Sequence, residues 1–138
     1  TAVDLLRSIL AQPYNAVVKN PQDRAMLRLL IAESHRFPEL SDIYLREIVS
    51  PGMAAMRLLL EKGIASGEFR KSRAVDFPQL LVGPAVLAIA WQLTVGDRQQ
   101  IDLDAYREAH IDLVLRGLRA GTDTISAVAE NVPKGEGQ

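Results

Sequence analysis

LLVGPAVLAIAWQLTV, residues 80–95, carries polar side chains only at Gln92 and Thr94. A surface helix of a globular protein keeps one polar face. This segment has none, so both of its sides need cover. Its sixteen residues reach roughly 24 Å as a helix, short of the apolar bilayer core of about 30 Å, and Gly83-Pro84 interrupts the run. A membrane span is therefore not expected. The economical arrangement places one face in the chain's own core and the other against a second copy, which predicts an obligate helical homodimer.

Composition narrows the surroundings. The 138 residues suit one domain and suffice for a full core. There is no cysteine, which excludes disulfides, thiolate catalysis and cysteine-based metal sites. That fits the reducing cytoplasm. The net charge is −1, so there is no electrostatic footprint for nucleic acid. Residues 1–10 lack a basic segment followed by a long apolar run, so no signal peptide is expected.

Helical periodicity dominates outward from residues 80–95, with no hairpin turn or alternating strand. Val3, Leu6, Ile9 and Leu10 space a first helix up to about residue 18, with Pro13 as a possible break. Asn20-Pro21-Gln22-Asp23 reads as a helix start. The helix it opens runs to about Arg36, with Met26, Leu27, Leu30, Ile31 and Ser34 on its apolar face. Phe37-Pro38 makes a corner before a short helix to about Val49, and Ser50-Pro51-Gly52 a second break or kink. Residues 53–66 form a clean helix that Gly67 ends in the left-handed conformation. The apolar helix begins near Ala74 or after Pro78. Asp102 or Asp104 caps a last helix extending to about Ala120, with two apolar stripes. Leu103, Tyr106, His110, Leu113 and Gly117 form one, and Ile111, Val114, Leu115 and Leu118 the other. A polar tail over 121–138 is expected to be flexible. The fold class is all-α, a bundle of about five to six helices.

Three stretches carry a likeness: LRLLIAESHRFPEL at 27–40, YLREIVSPGMAAMRLLLEKGIASGEFR at 44–70, and IDLDAYREAHIDLVLRGLR at 101–119 after the apolar helix. Their joint order resembles the C-terminal regulatory domain of tetracycline-repressor-type (TetR/AcrR) transcription factors. The resemblance implies an effector-binding and dimerisation domain over residues 21–120. Its last two long helices, about 78–95 and 104–120, would pack with those of a second subunit as a four-helix bundle. Residues 1–20 would match the remnant of a connecting helix. The family's N-terminal helix-turn-helix has no counterpart here, so the chain reads as a fragment that should not bind an operator by itself. DNA would be a partner only through that missing reader.

Candidate pocket linings are Phe37, Tyr44, Met53, Met56, Leu60 and Trp91, since ligand cavities are mostly apolar and methionine adapts to varied shapes. The ligand expected is a small apolar or amphipathic effector. Any of the six could instead be ordinary core. The cavity would lie between the helix of 21–36, the helix of 53–66 and the apolar helix near Trp91. Glu33, Ser34 and His35 stand close to an apolar face and could orient a ligand or simply meet solvent. The dimer interface is expected at Val86, Ile89, Leu93, Tyr106, His110, Leu113 and Leu118. His110 could also be a pocket group, a proton-sensitive residue or a satisfied buried histidine. With two distant histidines, no metal site or cofactor is expected. Neither a catalytic constellation nor a phosphate loop occurs, so the chain is not read as an enzyme. Arg70-Lys71-Ser72-Arg73 reads as a solvated connector. The competing reading is a stand-alone helical dimerisation or adaptor module without a small ligand.

Overall fold

Six α-helices and no strands make up residues 1–18 and 20–121, the part of the chain described in a computed structural model. The expected tail lies, beyond Gly121, outside the described residues. Helix α1 spans Ala2–Pro13, and the Thr1 hydroxyl caps it by accepting from the Asp4 amide at 3.2 Å. Pro13 does not end the helical path, which continues through a π-helical turn, Tyr14–Val18. Helix α2 spans Pro21–Glu33 and starts as the sequence predicts, with Asn20 Oδ1 accepting from the Gln22 amide at 3.0 Å.

Helix α3, Pro38–Tyr44, a π-helical turn, Leu45–Val49, and helix α4, Ser50–Ala65, form one continuous path. The break expected at residues 50–52 is absent. A proline ring clashes with the carbonyl four residues back in a regular helix. For Pro51 that carbonyl belongs to Glu47, within the wider π turn, which gives the ring room. Gly67 ends the path with φ +82, the left-handed conformation its sequence position predicts.

A 3-10 turn, Arg73–Val75, leads to helix α5, Gln79–Thr94. Gly83-Pro84 does not interrupt α5. Pro84 is the sixth residue of α5, and the helix continues without the amide bond to the Leu80 carbonyl. Helix α6, Leu103–Leu118, is capped by Asp102, whose Oδ1 accepts from the Ala105 amide at 3.1 Å.

The core joins α1, α4, α5 and α6. Leu6 and Leu10, both fully buried, meet Met56, Leu60, Leu81 and Ile111. Each such side chain contributes about 1.5–3 kcal/mol relative to exposure. A smaller cluster of Tyr14, Ala85 and Ala88 is flanked by Leu103 and Tyr106. Helices α2 and α3 bury no residue at all. The apolar face expected on α2 is therefore uncovered, because α2 packs mainly on the first π turn and on α3. On α6 the two expected stripes are one inward band of His110, Ile111, Leu115 and Leu118, with Leu113 and Gly117 facing outward.

The GxxxGEFR segment, residues 63–70, is a corner where three helices meet. Gly63 is buried, and a Cβ there would overlap the Phe69 ring. The Phe69 amide donates to the Gly63 carbonyl at 3.0 Å and the Arg70 amide to that of Leu118 at 2.8 Å. Arg70 Nε donates to the Gly117 carbonyl at 2.7 Å. Glu68 Oε2 accepts from the Ala2 amide at 3.2 Å and from the Ser66 hydroxyl at 2.9 Å, and these bonds, Ser66 first, hold its pKa below the usual carboxylate value.

Candidate functional site

Because α2 lies off the core, a groove opens between it and α3 with its following π turn. The space holds about 400 Å³. Leu30, Ile31, Leu45 and Val49 supply apolar lining, and Tyr44 a ring. Ser34, Ser41 and Asp42 supply the polar groups. Ser34 is the residue that caps the C-terminal end of α2. The groove is open to solvent, with a mostly apolar lining and a few polar groups, and Ile31 and Leu45 are exposed along it.

The six sequence-predicted pocket residues do not converge. Tyr44 lines the groove. Met56 and Leu60 are buried in the main core, against α1. Met53 is half-buried on α4. Phe37 is exposed, with the Arg36 guanidinium 5.7 Å from its ring centroid. The Trp91 indole N–H, considered as a ligand donor, already donates to the Gln99 carbonyl at 2.8 Å and closes the α5–α6 loop. Of the three polar candidates near the end of α2, the groove takes Ser34. Ser41 and Asp42 were not anticipated, since on a short helix they look like ordinary solvated positions.

The expected interface residues also divide. Val86 and Leu113 are exposed, and Ile89, Leu93 and Tyr106 are half-buried. Leu118 is 5% exposed and lies in the core. His110 is buried within the single chain as the satisfied histidine that the sequence left as one option. Its Nε2 lies 2.7 Å from the Leu81 carbonyl and its Nδ1 2.7 Å from the Tyr14 hydroxyl. A carbonyl only accepts, so Nε2 carries the proton and neutral Nδ1 accepts from Tyr14. Tyr106 donates to the Pro84 carbonyl at 2.7 Å. These bonds tie the first π turn, α5 and α6 together. Burial, opposed by the Leu81 bond, lowers the His110 pKa. Burial first, and the neighbouring Tyr106, push Tyr14 up to about 12.

Among the described residues no group of His, Asp and Glu is arranged to hold a metal, and no helix is long and apolar enough to cross a membrane. Comparison with curated proteins and with solved structures returns no match. A family model does match, described as tetracyclin repressor-like, C-terminal domain, and it covers residues 3–114. That span takes in α1 through most of α6, including the groove and the His110 network, and the chain belongs to this family of tetracyclin repressor-like C-terminal domains.

Proposed function

We propose that the chain is the effector-sensing and homodimerisation domain of a TetR-type transcriptional regulator. The observation that carries this reading is the apolar outer face of α5, continued on α6 by Leu113. Leu80, Val86 and Leu87 on α5, and Leu113 on α6, are all exposed. A Cβ at Gly83 or Gly117 on the same helices would meet nothing within 4 Å. Exposed apolar patches of this kind mark interaction sites, and the small residues permit close helix approach. A second copy covers both helices at once and gives a bundle of four. The inner faces are already occupied by the chain's own core, so the partner meets the outer ones.

The α2–α3 groove is the effector site in this reading, and the effector is small and apolar or amphipathic. It acts by differential affinity for two arrangements of the helices, the only way a ligand can shift an equilibrium. Helix α1 and its π turn, tied to α5 and α6 through Tyr14 and His110, carry that bias towards a DNA reader. DNA is then contacted by that reader in the cytoplasm, and the domain itself performs no chemistry.

Sedimentation of the chain at micromolar concentration tests the assembly. We expect a dimer, and a monomer with unchanged helix content for Leu113→Glu. A wild-type chain that sediments as a monomer overturns the proposal.

A further inference from the structure

We propose that the Tyr14–His110–Leu81 hydrogen-bond chain is an acid-sensitive latch, and that proton uptake by His110 releases the first π turn from α5 and α6. The latch lies inside the bundle and is independent of what the α2–α3 groove binds. His110 is 4% exposed on α6. Its Nε2 donates to the Leu81 carbonyl of α5 at 2.7 Å, and its Nδ1 accepts from the Tyr14 hydroxyl at 2.7 Å, so both ring nitrogens are committed. Tyr14 is the first residue of the π turn and is buried, and its hydroxyl makes no other hydrogen bond among the described residues. Tyr106, one helical turn before His110 on α6, donates to the Pro84 carbonyl and lies with its ring centroid 6.2 Å from that of Tyr14. One turn of α6 thus grips α5 on either side of Gly83 and holds the π turn through a single hydroxyl.

A proton on Nδ1 upsets this arrangement. The nitrogen then only donates, and a Tyr14 oxygen that turns to receive it leaves its own O–H buried without an acceptor. The surroundings do not neutralise the charge. Helix α5 has no ionisable side chain from Gln79 to Thr94, and the π turn has Tyr14 alone. Asp4 and Arg7 of α1 are exposed. On α2, which packs against the turn, the ionisable residues are Asp23, Arg24, Arg28 and Glu33, and the one half-buried carboxylate, Glu33, closes the far end of the helix. On α6, Asp104, Glu108 and Asp112 are exposed, and half-buried Arg107 is itself a cation, paired with Asp104 and Glu108. The charged ring is therefore stabilised by leaving the interior, and the π turn is the part that can yield. Turns of this kind are rare and recur at functional sites. The next element, α2, buries no residue and packs mainly on this turn and on α3, so few core contacts oppose its displacement.

Hydrogen exchange of the full 138-residue chain, read by mass spectrometry and corrected for the chemical exchange rate, tests the latch. Peptides covering the π turn are compared with peptides from α4 at about pH 7.5 and about pH 5.5. We expect the turn to exchange faster than α4 at both values, through an opening insensitive to dilute urea, as a local opening is. Acid should raise that opening several-fold and by no more than about tenfold, the limit for a released histidine that titrates at about 6.5. His110→Gln keeps an acceptor and a donor without a titrating ring, and should abolish the acid increase. Tyr14→Phe should speed exchange at the higher pH, more in the turn than in α4. The proposal is overturned by a turn that exchanges only through the urea-sensitive unfolding of α4, by the absence of an acid increase in the wild type, or by an increase undiminished in His110→Gln. If circular dichroism shows His110→Gln to be unfolded, Tyr14→Phe decides in its place, and exchange in the turn no faster than wild type overturns the latch.

Discussion

His110 is favoured in its place as a neutral ring. Its folded pKa is lowered, chiefly by burial, whereas an unfolded histidine titrates at about 6.5. Below that pH the unfolded chain takes up a proton that the folded chain resists. Its contribution to stability is therefore complete above about pH 6.5 and is lost as pH falls towards the folded value. Urea unfolding at about pH 7.5 and about pH 5.5 should show this loss, and His110→Phe should remove that part of the slope. The same variant should cost about 1–3 kcal/mol at the higher pH, because it leaves the buried Tyr14 hydroxyl without its partner. A second residue-scale case is Gly63, whose missing side chain is the space that Phe69 fills. Gly63→Ala regains about 1 kcal/mol of helix propensity. The overlap with a buried ring outweighs it, at the upper end of about 1–3 kcal/mol. A net loss is expected in thermal unfolding, and Phe69→Leu in the same chain should recover part of it.

At the scale of elements, the cap of α6 gives a sharp test. The sequence allowed Asp102 or Asp104, and the geometry selects Asp102, which accepts from Ala105. Asp102→Ala should cost about 0.5–2 kcal/mol in denaturant unfolding, and Asp104→Ala clearly less. Helix starts and stops of this kind are legible because the residue carries its own chemistry. Asn20 accepts from an amide two residues on, and Gly67 adopts a backbone angle that other residues avoid. The all-α class was legible in the same way, from spacing alone. Periodicity does not say which neighbour an apolar face meets. Met26 and Ile31 read as a core face and are exposed, while Met56 and Leu60 read as pocket walls and lie in the core. The groove was the least legible part. Ser41 and Asp42 join Ser34 only through the mutual placement of α2 and α3, a tertiary fact with no local signature. Pro51 sits within the helical path because the π turn before it relieves the steric conflict, whereas Pro84 costs α5 one backbone hydrogen bond.

For the whole molecule, α6 separates assembly from folding. Leu113 is 71% exposed and Leu118 5% exposed. Leu113→Glu should abolish dimer sedimentation while the helical spectrum persists. Leu118→Glu should instead unfold the chain, since a charge without a partner would enter the core, at a cost of about 3–5 kcal/mol. The corner at residues 63–70 has a different consequence, a topological one. Glu68 receives the Ala2 amide through its carboxylate and the Ala120 amide, at 3.3 Å, through its carbonyl. The start of α1 and the end of α6 are thus fastened to one residue, although they are the two extremes of the described sequence. The bundle is close to a closed loop of chain. It should tolerate circular permutation: a short glycine-rich linker from Gly121 to Thr1, with new termini cut between the exposed Asp97 and Arg98, should give a protein of native helix content.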